Sequence, residues 1–312
     1  MRVLVCLAAV LAGAQEAPPT FRTGVDLVNV AFTARDRGGR LVNGLDRGDF
    51  ELFEDGARQE IRVFSREQNA PLTAGLVIDR SGSQEGFEED NIRIAIDFFR
   101  RVLREQDQAF IVAFGNRIRQ LCGMTNSAGR LERALRNMDE LYDEAPRIGP
   151  RISRSGGSAV LDSVYWTVAE KLRGVPGRKA LIMLGDGREN ASRARLSDTI
   201  EMLQSSDVLF YGLDNGGTRR GRKDRNRMPE LAGQSGGREF KIGEIPLPEA
   251  FAEIERELRT MYTIGYVSSN TSRDGRFRKI EIRPRDRKLV VRARPGYYAR
   301  VEAEPNTISG LK

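Results

Sequence analysis

This sequence of 312 residues predicts an α/β fold, a doubly wound and mostly parallel sheet inserted between N- and C-terminal β segments. Between residues 71 and 261, short continuous apolar runs alternate with stretches of helical period, as expected of strands buried on both faces by helices. Residues 20–69 and 262–300 instead carry strand-like runs separated by turn dipeptides. Each flank is too small to hold a core alone, so the two are expected to pair into one small β module.

The chain opens with Met1-Arg2, an apolar run from Val3 to Leu11, and Ala12-Gly13-Ala14. A basic start, a short apolar core and a small-residue box predict a signal peptide over residues 1–14. Cys6 lies inside that run without the preceding small residues that a lipid-attachment site needs. An exported protein is expected, periplasmic or extracellular, with no later segment apolar enough to span a membrane.

In the first flank, Val25 to Phe32 is β-rich, Gly38-Gly39 makes a turn, and Asp55-Gly56 between Phe50–Phe53 and Ile61–Phe64 signals a hairpin. From Pro71 the order is strand Leu72 to Ile78, helix Glu88 to Arg104, strand Gln108 to Phe114, and a short antiparallel edge strand, Ile118 to Cys122. A helix over Leu131–Met138 and a loop through Pro146 and Pro150 come next. Then follow helix Ala159–Leu172, strand Ala180–Leu184, helix Leu196–Gln204, strand Val208–Leu213, a short strand near Phe240, and helix Pro248–Met261. The second flank reads as strands Tyr262–Val267, Phe277–Ile282 and Leu289–Arg294, with Asp274-Gly275 at a turn and a frayed tail over 301–312.

Composition excludes much chemistry. There is no histidine, so Ser-His-Asp and Cys-His pairs, a histidine general base and His-ligated zinc are all absent. Two cysteines, Cys6 and Cys122, cannot make a disulfide framework or a four-thiolate site. A metal here must be held by oxygen, which suits Mg²⁺ first and Mn²⁺ or Ca²⁺ as alternatives.

Ligands of an open parallel sheet sit beyond the carboxyl ends of its strands. Three segments are expected there: Asp79-Arg80-Ser81-Gly82-Ser83, Ser155-Gly156-Gly157-Ser158 before a helix, and Gly185-Asp186-Gly187. Carboxylates and hydroxyls from these loops form an oxygen-only cage for one octahedral ion with a position left free.

Asp79-x-Ser81-x-Ser83, the hydroxyl after Gly156-Gly157 and Asp186-Gly187 resemble the metal-ion-dependent adhesion site of von Willebrand factor type A (VWA) domains. Further motifs resemble the exported VWA-related family described from acidobacteria. They are Val42-x-Gly44-Leu45, Asp49-Phe50, Glu54-Asp55-Gly56, Leu231-Ala232 with Gly236-Gly237, Tyr262-x-x-Gly265-Tyr266 and Arg294-Pro295-Gly296-Tyr297-Tyr298. The resemblance implies that Asp79, Ser81, Ser83, Ser158 and Asp186 hold the ion directly or through water. It also implies a non-catalytic protein that binds a protein partner through that partner's acidic residue. Ser158 is a departure, standing where the family usually has threonine; the hydroxyl is kept, but not the methyl that fixes its rotamer.

Residues 219–227 carry Arg219, Arg220, Arg222, Lys223, Arg225 and Arg227 against Asp224. Following the Val208–Leu213 strand, this loop should emerge at the same sheet edge and form a cationic ligand rim. No aromatic residue is interleaved for base stacking, so nucleic acid is not the expected partner. The alternatives are a nucleic-acid-binding loop and a metal-assisted hydrolase; against the latter, position 81 is not the second aspartate of Asp-nucleophile phosphatases.

Overall fold

The computed structural model describes residues 27–66, 70–80, 89–115, 117–150, 158–216 and 225–299. The expected signal peptide (1–14) and tail (301–312) lie outside them.

Chain order begins with β1 (Leu27–Arg35), β2 (Phe50–Glu54), β3 (Ala57–Gln59) and β4 (Val63–Arg66). The hairpin between β2 and β3 turns at Asp55 and Gly56, both with positive φ, as a two-residue type I′ connection needs. Next come β5 (Leu72–Asp79), α1 (Glu89–Val102), β6 (Gln108–Phe114), β7 (Ile118–Thr125), α2 (Ala128–Arg136), α3 (Met138–Glu144) and β8 (Arg147–Ile148). The third stretch holds α4 (Val160–Thr167), which runs into a π-helical turn (Val168–Leu172), then β9 (Arg178–Gly185), α5 (Leu196–Ser205) and β10 (Val208–Asp214). It ends with α6 (Met228–Ser235), β11 (Arg238–Lys241) and α7 (Leu247–Thr260). Strands β12 (Tyr262–Val267), β13 (Phe277–Pro284), β14 (Val290–Ala293) and β15 (Gly296–Tyr298) close the described chain.

The central sheet has the order β11-β10-β9-β5-β6-β7-β8. The five strands from β11 to β6 pair in parallel, and β7 and β8 are antiparallel. Every residue of β5 and β9 is buried, which explains why neither alternates in polarity. One face packs under α1, α2 and α7 through Phe98, Phe99, Leu135, Phe251 and Ile254, the other under α4, α5 and α6 through Val160, Val164, Leu203 and Leu231. The doubly wound expectation is met.

The flanks do pair. Two antiparallel four-stranded sheets, β14-β1-β12-β4 and β15-β13-β2-β3, enclose Phe32, Phe50, Leu52, Tyr262, Ile264 and Ile280. Phe32 stacks on Tyr262 at 5.4 Å and meets Phe50 edge-on at 4.9 Å, so N- and C-terminal residues share one core.

Three expectations are corrected. β7 is not the sheet edge, because the two-residue β8 pairs outside it at Ile118 and Arg119. The expected loop after Met138 contains α3, whose acidic first turn, Asp139 and Glu140, suits a helix start. The expected Ala159–Leu172 helix is α-helical only to Thr167 and then widens to the π form.

Candidate functional site

β5 is the point where the sheet changes direction: β6 lies on one side of it and β9 on the other. Crevices at such a switch point open beyond the strand ends. Asp79 is the last residue of β5, and Asp186 is the first residue past β9. Gly185 makes their approach possible, since a Cβ there would lie 2.6 Å from the Asp79 Cβ.

Asp79, Ser158 and Asp186 are each about 95% buried. Ser158 Oγ donates to Asp79 Oδ2 at 3.0 Å. Asp186 Oδ1 accepts from the Arg188 N–H at 3.0 Å, while Asp186 Oδ2 has no hydrogen-bond partner among the described residues. Arg188 Nε is 3.8 Å from that oxygen, beyond hydrogen-bond reach. An anionic oxygen buried without a donor is a costly arrangement unless a cation completes it.

The loop that carries Asp186 is sewn to the start of α4. Ser158 N donates to Asn190 Oδ1 at 2.9 Å and Asn190 N returns to Ser158 O at 3.1 Å. Glu189 accepts from Leu161 N at 2.9 Å, and the buried Asp162 accepts from Ala194 N at 2.8 Å. Ser158 and Asp186 are thereby fixed relative to one another by one backbone bond and three bonds from backbone N–H groups to side chains. Sequence reading missed Glu189, Asn190 and Asp162; carboxylates at a helix N-terminus were the available signal.

A further carboxylate, also missed, ends the neighbouring strand. Asp214 closes β10 just as Asp79 closes β5, after an equally apolar run. Burial pushes its carboxyl above the usual range; Asp186 adds to the rise, and a bond from Gly216 N opposes it. Asn226 Nδ2 donates to Asp214 Oδ2 at 3.0 Å and to Glu239 Oε1 at 2.8 Å. Glu239 is also raised, by burial first and by Asp214 second.

Ser81 and Ser83 lie outside the described residues, as do Ser155, Gly156 and Gly157. So do Arg219, Arg220, Arg222 and Lys223 of the expected cationic rim. The chain leaves for that rim from the end of β10 and returns beside the site, where Arg227 N donates to Gly187 O at 2.9 Å. Of the rim residues in view, Arg225 and Arg227 both pair with Glu230, at 2.6 and 2.8 Å.

The donor set suits a divalent cation: two carboxylates, one of them with a buried oxygen that accepts no hydrogen bond, and a hydroxyl, all hard ligands. It is a mixed set, for among the described residues no three Asp, Glu or Cys side chains converge as a metal cluster. Cys122 plays no part; it is buried, and burial raises its thiol pKa.

No family model and no curated protein matches this chain. Solved structures similar to it include proximal thread matrix protein 1 from the mussel byssus, at 14% identity and a TM-score of 0.46, over 73% of this chain and 50% of that one. Another form of that mussel protein, 15% identical over 64% of this chain and 48% of that one, with a TM-score of 0.45, has a zinc-occupied MIDAS motif. The vWF domain of the type V pili tip protein Mfa5 from Porphyromonas gingivalis is 12% identical, with a TM-score of 0.43, over 60% of this chain and 94% of that domain. The chain thus spans half the length of the mussel protein. At these identities and scores the likenesses carry over to no residue of this chain.

Proposed function

We propose that this chain is an exported, non-catalytic VWA-like protein that binds a protein partner through a divalent cation. The carrying observation is the buried, donorless Oδ2 of Asp186 beside the Ser158–Asp79 hydrogen bond at the sheet's switch point. Asp79, Ser158 and Asp186 would hold the ion, together with Ser81 and Ser83, and Mg²⁺ fits these ligands best. When bound, the ion supplies a Lewis-acidic position that an acidic side chain of the partner completes. The chain's own residues keep that position rigid through the Asn190, Glu189 and Asp162 bonds. They also keep it largely out of water, where electrostatic attraction is strongest.

Export rests on the apolar run Val3–Leu11 followed by Ala12-Gly13-Ala14. Among the described residues no helix is long and apolar enough to cross a membrane. The domain organisation that goes with this reading is a VWA-like unit over 71–261 set between β segments 20–69 and 262–300. The shared core of Phe32, Phe50 and Tyr262 supports it. A cationic rim of Arg219, Arg220, Arg222 and Lys223 would favour an acidic partner as it arrives.

Calorimetric titration with Mg²⁺ and Mn²⁺ tests the reading. The natural protein should give saturable heats that Asp79→Ala abolishes. Equal heats from both proteins would overturn it. Affinity should change little between about pH 6 and 8, because carboxylates and hydroxyls ordinarily do not titrate there.

A further inference from the structure

Away from the strand ends, α4, its π-helical turn and α5 enclose a groove of about 550 Å³. That lies within the range of about 300–1,000 Å³ usual for small-molecule sites. Its apolar lining joins Pro150, Ala194 and Met202 to an aromatic pair, the Tyr165 and Trp166 rings, which meet edge-to-face at 5.2 Å and 79°. Both rings are only partly buried. Neither the indole N–H nor the phenol O–H has a protein partner among the described residues.

Trp166 is held in place from behind. Gly149 lies so close that a Cβ there would sit 2.5 Å from the indole Cγ, and Glu170 accepts from Gly149 N at 2.8 Å. The π-helical turn starts two residues later, and such turns concentrate at functional sites.

Charge supplies the other half of the argument. Arg173 and Arg193 line the groove with Asp162, Asp198 and Glu201, and the buried Asp162 carboxylate is already taken by the backbone N–H groups of Arg193 and Ala194. With Asp162 so engaged, two cations and two anions remain for a ligand, and among the described residues none of these four forms an ion pair with another. Asp198 takes only a local bond from Ser197 Oγ, at 2.9 Å. Arg193 is fixed at its backbone, where its N–H bonds to both Asp162 oxygens at 3.1 Å.

A ligand with net negative charge meets Asp198 and Glu201; one with net positive charge meets Arg173 and Arg193. The lining therefore suits a neutral ligand that accepts from guanidinium and donates to carboxylate through the same kind of group. Hydroxyls do both. A C–H face that packs on an aromatic ring completes the description, and a pyranose ring has one. From this combination we infer that the α4–α5 groove is a binding site for a neutral oligosaccharide. It lies apart from the strand-end ligands, sharing with that site only the bracing residue Asp162, and needs no metal.

Trp166 is the chain's only tryptophan, so its emission reads this groove alone. Full-length protein is titrated with cellohexaose, maltohexaose and chitohexaose, and in parallel with an oligogalacturonate, an oligolysine and an oligoglutamate. The expected result is a saturable change in emission with at least one neutral probe, unaffected by chelator. Arg173→Gln and Glu201→Gln, both at exposed positions, should each weaken it about tenfold, the value of one charged hydrogen bond, with circular dichroism unchanged. Three results would overturn the inference: no saturable response to any neutral probe, a tighter response to a charged one, or full affinity in the Arg173→Gln/Glu201→Gln double variant.

Discussion

Asp107 and Glu257 on one side, and Asp79, Asp186 and Asp214 on the other, are acids withdrawn from solvent in the same α/β layer, yet they are treated in opposite ways. Asp107 is fully buried and saturated: Arg259 Nη2 donates at 2.7 Å, Leu72 N at 2.8 Å and Arg104 N at 2.9 Å. Glu257 on α7 is fully buried between Arg35 of β1, at 2.7 Å, and Arg292 of β14. These acids tie parts of the chain together, Glu257 joining α7 to the β module. At the strand ends the accounts are left open. Asp186 keeps a donorless oxygen, and Asp214 is held above its usual pKa by burial and by Asp186. A carboxylate whose oxygens are filled by arginine and backbone donors is finished as structure, whereas Asp186, with the Arg188 guanidinium no closer than 3.8 Å and one oxygen without a hydrogen-bond donor, is prepared for something that arrives from outside.

The comparison breaks first, and most heavily, at Glu257. Glu257→Ala leaves Arg292 facing a vacated acid in the interface between α7 and the β module. Arg35 keeps Glu253, at 3.1 Å, and the carbonyl of Gly39. Removing one member of a buried pair typically costs about 3–5 kcal/mol, and the remaining Arg35–Glu253 contact places the expected loss near about 3 kcal/mol. Urea unfolding at neutral pH measures it; a loss below about 1 kcal/mol would mean that this carboxylate is not structural after all.

Asp107 should follow with a smaller loss that depends on pH. Burial alone would raise its pKa, but the Arg259 bond and the backbone N–H groups of Arg104 and Leu72 outweigh burial and hold it below the usual value. A carboxyl with a lowered folded pKa contributes stability above its unfolded pKa, about 3.9. That contribution is lost as pH falls through the folded value. Asp107→Asn should cost about 1–3 kcal/mol at pH 7, as expected for losing charge-assisted bonds. The cost should shrink below about pH 4, because the natural protein then loses the same advantage. Unfolding curves from pH 3 to 7 for both proteins check the sign.

How much of this contrast was legible in the sequence depends on distance along the chain. Asp79 and Asp186 stand out because each follows an apolar run and has a glycine within the next three residues, and strand-end placement follows from the fold class. Asp214 had the same signature but was passed over, since no motif accompanied it. The β module was anticipated from two flanks too small to stand alone. Its detail was not: buried Glu54 accepts from Tyr266 Oη at 2.7 Å and from Tyr297 Oη at 3.0 Å, joining residues more than two hundred positions apart. Helices α3 and α6 were missed because each is short, at seven and eight residues, and so shows little period. The π-helical turn after Thr167 was illegible for a different reason: its apolar residues also fit an α-helical face.

At Asp186 the stability effect should vanish or reverse, which sharpens the contrast with Asp107. Asp186→Asn keeps an acceptor for Arg188 N and removes a buried charge whose Oδ2 has no hydrogen-bond donor, only the Arg188 guanidinium at 3.8 Å. Without added metal the variant should be as stable as the natural protein, or more so by up to about 1 kcal/mol. With millimolar Mg²⁺ the natural protein should gain thermal stability by mass action and the variant should not. A clear loss of stability on Asp186→Asn in chelator would place this residue with Asp107, as structure.

Asp214 carries the smallest expected effect, and its pH dependence runs opposite to that of Asp107. A carboxyl whose folded pKa is raised is at its most favourable below the unfolded value. It becomes a growing cost as pH rises through the folded value. Asp214→Asn removes that cost while keeping an acceptor for Gly216 N, which donates to Asp214 Oδ1 at 2.8 Å. Asn226 loses one of its two carboxylate partners but retains Glu239. The two changes oppose each other, so the gain at pH 7 should be no more than a few tenths of a kcal/mol, the usual range for a partly exposed group. It should disappear as pH falls below the unfolded value of about 3.9, where the carboxyl is protonated in both states. A gain that instead grows with falling pH would show that Asp214 is stabilised as the anion, and would move it to the arginine-paired class.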